Sequence, residues 1–262
     1  MSEQAQLKGL NVLLTRPQLQ SASLVTAITG QGGRVVELPL IEIEAVTDGD
    51  ACEAIKSRIL SLDQFDAAIF ISTNAARIGL AWIEAWWPQI PVGLTAYAVG
   101  PGTAKTLQTL DWPVVYSDQG VTSEHLLALP GLQDINGQRI ALFRGVGGRE
   151  LIAETLRSRG ATVDYLELYH RRTPDYDGDT VLNMVRHEHI NAIVVTSAQI
   201  LDVLLHVLQN DPTAIALIPV VVPSQRIRQY ALDAGLTRVV NADAVNDETI
   251  VEALAAVATP LR

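Results

Sequence analysis

The chain repeats itself. Aligned without a gap, KGLNVLLTRPQLQSASLVTAITGQGGRVVELPLIEI from Lys8 and NGQRIALFRGVGGRELIAETLRSRGATVDYLELYHR from Asn136 set Gly9 on Gly137, Arg16 on Arg144 and Gly32 on Gly160, each pair 128 positions apart. Further on, FDAAIFISTNA at Phe65 resembles INAIVVTSAQI at Ile190, pairing Ser72 with Ser197 at a separation of 125. TAYAVGPGTAKTL then resembles IPVVVPSQRIRQY, and YSDQGVTSEHLLAL resembles NADAVNDETIVEAL. A period above about 120 residues is too long for a solenoid unit, so it marks a duplicated domain. Whatever fold one half adopts, the other must be able to adopt. At 262 residues and 48% apolar content the chain has material for one large core or two small ones.

Each half alternates two patterns. Val12–Leu14, Val35–Leu38, Ala67–Ile71, Ala96–Val99 and Val114–Tyr116 are short apolar or β-branched runs, as expected of strands covered on both faces. Between them, SASLVTAITGQGG and ELIAETLRSRGA space apolar residues by three and four and stop at glycine, which predicts helices. Regular β and α alternation predicts an α/β fold of doubly wound, flavodoxin-like parallel sheets. In such sheets ligands lie beyond the carboxyl ends of the strands.

Those ends read Thr15-Arg16-Pro17, Ser72-Thr73-Asn74, Gly100-Pro101-Gly102-Thr103, Arg144-Gly145-Val146-Gly147-Gly148, Thr196-Ser197 and Pro223-Ser224-Gln225. Nearly all are small, hydroxylic or amide-bearing and precede a helix. Taken singly the hydroxyls are helix caps. Taken together they form two rows of donors suited to anions. Neither RGVGGRE nor VGPGTAK satisfies GxGxxG, and GxxxxGK[ST] is absent, so a dinucleotide or P-loop reading lacks its fingerprint.

With 29 acidic against 19 basic residues the formal charge is -10, which argues against general nucleic-acid binding. Any anion must be held locally. The single cysteine, Cys52, excludes a disulfide framework and reads as a half-buried helix residue. The five histidines are scattered, and His187-Glu188-His189 lacks metal spacing, so no metal site is expected. GxSxG, HExxH and CxxC are absent, and no strand end carries an acid–base pair. Neither a signal peptide nor a membrane span is indicated, which suggests a cytoplasmic protein. Without a heptad pattern or an extended apolar patch, a monomer is expected. Trp82, Trp86 and Trp87 read as one helix face, packing a core or forming an exposed patch rather than stacking on a ligand.

The LLTRP start, FISTNAAR, AVGPGTAKTL, the RGVGGRELIAETLRSRGATVDYLELYHRR block, VVTSAQ and the closing VNDETIVEAL, in this order over essentially the whole chain, resemble the uroporphyrinogen-III synthase family. The resemblance implies two similar α/β lobes joined by a two-stranded linker, with substrate in the cleft between them. The lobes are discontinuous: 1–37 with 172–262, and 43–166, with linker strands at 38–42 and 167–171. The duplication alone would place a single boundary near Asp134.

It also implies the chemistry. The family converts linear hydroxymethylbilane to cyclic uroporphyrinogen III, losing water and inverting ring D, with no cofactor and no metal. An azafulvene forms as the hydroxyl leaves, and attack by the substituted carbon of ring D gives a spiro intermediate. The substrate is rich in carboxylates, which suits the strand-end donors. Thr15, Arg16, Ser72, Thr73, Asn74, Gly100, Thr103, Arg144, Gly145, Gly147, Arg149, Thr196, Ser197 and Ser224 are the expected substrate-binding residues. Tyr169, matching a cleft-facing tyrosine of the family, is the expected helper of the leaving hydroxyl. Two rivals remain: a non-catalytic two-lobe binding protein for a small polycarboxylate, and a nucleotide-dependent transferase.

Overall fold

A computed structural model describes residues 6–110, 112–148, 150–208 and 213–258. In chain order the elements are β1 Asn11–Leu14, α1 Ala22–Gly30, β2 Arg34–Glu37, β3 Glu42–Ala45, α2 Gly49–Leu60, β4 Ala67–Phe70, α3 Thr73–Trp86, β5 Thr95–Ala98, α4 Pro101–Leu107 and β6 Val114–Val115. They continue with α5 Ser123–Leu127, β7 Arg139–Gly145, α6 Leu151–Ser158, β8 Thr162–Arg172, α7 Gly178–His187, β9 Ala192–Val194, α8 Ala198–Val207, α9 Thr213–Ala216, β10 Val220–Val222, α10 Gln225–Asp233, β11 Val239–Asn241 and α11 Asp247–Ala258. Contacts divide the chain into Met1–Glu42 with Arg172–Arg262, and Ile43–Arg171. We refer to these as the first and second lobes.

The first lobe's sheet runs β11-β10-β9-β1-β2, with every pairing parallel. Numbered within the lobe this is the order 2-1-3-4-5 of a doubly wound flavodoxin-like sheet. The second lobe's sheet runs β3-β8-β7-β4-β5-β6. Without β3 it repeats the same order, with β7 and β8 in the places of β1 and β2. The first sheet thus takes two strands from the first half of the duplication and three from the second, and the second sheet takes β7 and β8 from the second half and its other four strands from the first. Leu38–Ile41, within the span read as the first linker strand, form no strand; the strand begins at Glu42.

Alternation along the strands builds the second lobe's two cores. Ala68, Phe70, Ala96, Ala98, Ala141 and Phe143 face one cluster, and Ala67, Ile69, Tyr97, Ile140 and Leu142 face the other. Phe70 stacks on Phe143 at 4.2 Å between centroids and meets the edge of Trp112 at 5.8 Å. Trp82 and Trp87 pack against this core, whereas Trp86 is exposed beneath the Lys56 ammonium. Cys52 is half-buried on α2. No described helix is long and apolar enough to cross a membrane.

Candidate functional site

In the first lobe the strand order reverses beside β1, between β1 and β9, where Thr15-Arg16 and Thr196-Ser197 follow the strands. Thr15 is fully buried and its hydroxyl donates to Val194 O at 2.7 Å, tying β1 to β9. Its one hydrogen is committed, so in this arrangement it can only accept. Arg16, 6% exposed, sends Nη1 and Nη2 to Asp247 Oδ1 at 3.1 and 3.2 Å, and its buried Nε has no partner among the described residues. Burial pushes this guanidinium below the usual arginine range, with Asp247 opposing the shift. Ser197 and Ser224 cap α8 and α10, accepting from Ile200 N at 3.2 Å and Ile227 N at 3.3 Å. A cap uses the oxygen's lone pair and leaves its hydrogen to donate elsewhere. Thr196 is half-buried beside them.

The Arg16–Asp247 pair yields a prediction. Asp247→Asn strands a buried cation, and stability should fall by about 2 to 3 kcal/mol; breaking a fully buried pair costs about 3–5, and Asp247 is 30% exposed. Urea denaturation followed by circular dichroism tests this, and an unchanged midpoint would show the pair to be idle.

In the second lobe the order reverses between β7 and β4. Arg144 is 2% exposed; Nη1 meets Glu150 Oε1 at 2.9 Å, Nε donates to Gly145 O at 3.2 Å and Nη2 to Gly147 O. The guanidinium lies 4.9 Å from the centre of the Tyr165 ring. Gly147 and Gly148 have φ of +70° and +98°, the left-handed region that glycine enters without strain. The amide of Gly147 points at a carboxylate, but it is the chain's own: Gly147 N donates to Glu167 Oε1 at 3.2 Å. Hydrogen bonds from Tyr165 and Arg144 hold the Glu150 carboxyl below the usual carboxylate range. Arg149 lies outside the described residues.

The neighbouring turns hold the other expected residues. Ser72 caps α3 through Ala75 N at 3.1 Å, Thr73 is exposed and Asn74 is buried. Gly100 precedes α4 in extended backbone, and a β-carbon there would meet Val121 Cγ1 at 2.7 Å. Thr103 is buried on α4.

Tyr169 reaches its place through an irregularity. Arg144 pairs with Glu167 but Gly145 with Tyr169, so β8 carries an extra residue there. Strict alternation would set Tyr169 on the face of Tyr165; the bulge turns it onto the face of Leu166 and Phe143. The side chain is fully buried, packed beneath the turn at Gly145, which has no side chain to oppose it. Its hydroxyl lies 2.9 Å from Ser72 Oγ and accepts from Arg171 Nη2 at 3.5 Å.

Sequence reasoning passed over Arg171 and Glu167. Both lie two residues from Tyr169 on a strand, a spacing that marks a shared face where pairing is regular. Arg171 lines a cavity of about 290 Å³ with Ile71, Val99, Gly145, Val146 and Gly147. A larger cavity, about 760 Å³, lies against Thr95 at the amino end of β5, away from all the expected site residues. Among the described residues no His, Cys, Asp or Glu cluster could hold a metal ion.

Residues 22–252 match the family described as uroporphyrinogen-III synthase HemD. The chain belongs to the uroporphyrinogen-III synthase family. The uroporphyrinogen-III synthase of Escherichia coli K12 is 29% identical over 251 residues, 94% of this chain and 100% of that one. That of Salmonella typhimurium is 33% identical over 194 residues, 74% of this chain and 78% of the relative. A crystal structure of a mutant uroporphyrinogen III synthase from the extremely thermophilic bacterium Thermus thermophilus superposes with a TM-score of 0.62 over 95% of this chain and 98% of that one. At 15% identity this likeness speaks for the fold alone.

Proposed function

We propose that the chain is a uroporphyrinogen-III synthase, closing hydroxymethylbilane to uroporphyrinogen III with loss of water and inversion of ring D. The observation that carries this reading is the family match over residues 22–252. The site fits a reaction driven by the substrate's own electrons. A pyrrole nitrogen lone pair expels the terminal hydroxyl, which takes up a proton and leaves as water. The substituted carbon of ring D attacks the resulting azafulvene, the spiro carbon's older bond breaks and re-forms at the free α-carbon on the other side of the ring D nitrogen, and loss of that carbon's proton restores the pyrrole. The protein supplies positioning, a proton for the leaving oxygen and donors for the carboxylates.

Ser72 and Tyr169 are the residues for that proton. Ser72 is half-exposed and Tyr169 lies behind it, so the hydroxyl pair can pass a hydrogen bond from the buried phenol to the departing oxygen. Ser197 and Ser224, with the exposed Thr73, donate to carboxylates, while Thr15, Arg16 and Arg144 hold the strand ends that carry them. On this reading the chain works in the cytoplasm as a monomer, without a cofactor.

Supplying hydroxymethylbilane and identifying the isomer after oxidation tests the activity. Isomer III well above the spontaneous rate is expected; isomer I alone, at the rate without protein, would falsify the proposal and leave a binding module. Tyr169→Phe should lower kcat about tenfold, below the 10²–10⁴-fold of a directly placed proton donor, with uroporphyrinogen III affinity within about twofold. Wild-type kcat in that variant would reduce Tyr169 to packing.

A further inference from the structure

The glycine turn of the second lobe already holds its anions. Gly147 N–H is taken by Glu167, and the Arg144 guanidinium by Glu150 and two backbone carbonyls, with Glu167 4.0 Å from its Nε. A tethered carboxylate competes at high effective concentration, so a substrate carboxylate gains little by displacing it. Arg171 is different. It is exposed, it borders the 290 Å³ cavity, and among the described residues its hydrogen bond to the Tyr169 hydroxyl engages one of five N–H donors, at a long 3.5 Å. Ile71, Val99 and Ile152 give the same cavity apolar walls. Whole small-molecule ligands occupy about 300–1,000 Å³, so this volume suits one ring with its acidic arm.

We propose that Arg171, rather than the glycine turn, is the carboxylate anchor of the second lobe. The guanidinium takes the acidic arm of one pyrrole ring through paired N–H donors while the apolar walls take the ring face. The anchored ring then lies beside the Tyr169 hydroxyl, which Arg171 also touches. This inference rests on the synthase reading.

Anaerobic calorimetric titration with uroporphyrinogen III tests it, on wild type, Arg171→Gln, Arg171→Lys and Gly147→Ala, each first shown to be folded by its melting curve. Arg171→Gln should weaken binding about tenfold, the scale of one solvent-accessible charged hydrogen-bond pair. Arg171→Lys, a charge without the fork, should fall between it and wild type, which keeps the test alive if the glutamine variant does not fold. Gly147→Ala, whose β-carbon would meet no atom within 4 Å, should stay within about twofold in affinity while losing stability to its left-handed φ. Both Arg171 variants binding as wild type, or Gly147→Ala alone weakening tenfold, overturns the assignment. A wild type that neither binds the product nor makes isomer III overturns the synthase reading as well.

Discussion

Arg144→Ala is expected to destabilise the second lobe by about 3 to 5 kcal/mol, the range for removing a large buried side chain that also satisfies buried polar groups. The guanidinium is 2% exposed, and its loss would open a cavity under the turn and orphan the buried carbonyl of Gly145. The carboxylates of Glu150 and Glu167, 46% and 41% exposed, would recover water and add little. Arg144→Lys keeps the charge but cannot reach two carbonyls and Glu150 together, so it should recover less than half of the loss. The four tryptophans, Trp82, Trp86, Trp87 and Trp112, all lie in this lobe, so their emission during urea denaturation reports it separately from the first. A midpoint unchanged in Arg144→Ala would mean that the arginine is held for a ligand and not for the fold.

Arg144 and Arg16 occupy the same position in the two halves and share one use. Each lies buried at the end of an interior strand of its sheet and pairs with a carboxylate at the start of a helix, Glu150 before α6 and Asp247 on α11. The duplication that exposes their equivalence says nothing of this role. Asp247 is 231 residues from Arg16, and only the exchange of strands between halves brings them together. Glu150 is six residues from Arg144 and was visible, but a neighbouring acid in a glycine-rich turn reads equally as solvated charge.

What is locally encoded was legible. Ser72, Ser197 and Ser224 each cap a helix through the amide three residues on, a relation carried by the chain itself. The strand runs follow from alternation and the likeness of the two sheets from the repeat, whereas the exchange of strands between halves was implied by the family resemblance alone. The burial of Tyr169 was not legible, because it depends on one extra residue in β8 opposite the step from Arg144 to Gly145. A bulge shifts every later side chain to the other face, and no composition or period marks where it falls. For the same reason Arg171 and its cavity escaped notice.

The bulge gives Gly145 its purpose, and the largest functional loss is expected there. Gly145 stands opposite Tyr169 in the register, and a β-carbon on it would lie 2.7 Å from Tyr169 Cε2 and 2.8 Å from Cζ. Contact so close forces the ring to move, and the ring is held on its other sides by a packed core. Gly145→Ala should therefore cost about 1–3 kcal/mol, the range for overpacking. It should also separate the Tyr169 hydroxyl from Ser72 Oγ, now 2.9 Å away. Turnover should fall about a hundredfold, beyond Tyr169→Phe, because displacement disturbs the position of Ser72 and Arg171 as well as the phenol. A double-mutant cycle isolates the cause. Tyr169→Ala empties the space, so adding Gly145→Ala to it should cost almost no further stability, a coupling of about 1 kcal/mol or more between the two sites. Strictly additive losses would show that Gly145 is required for something other than the tyrosine, and would remove the structural link between the glycine turn and the proposed proton donor.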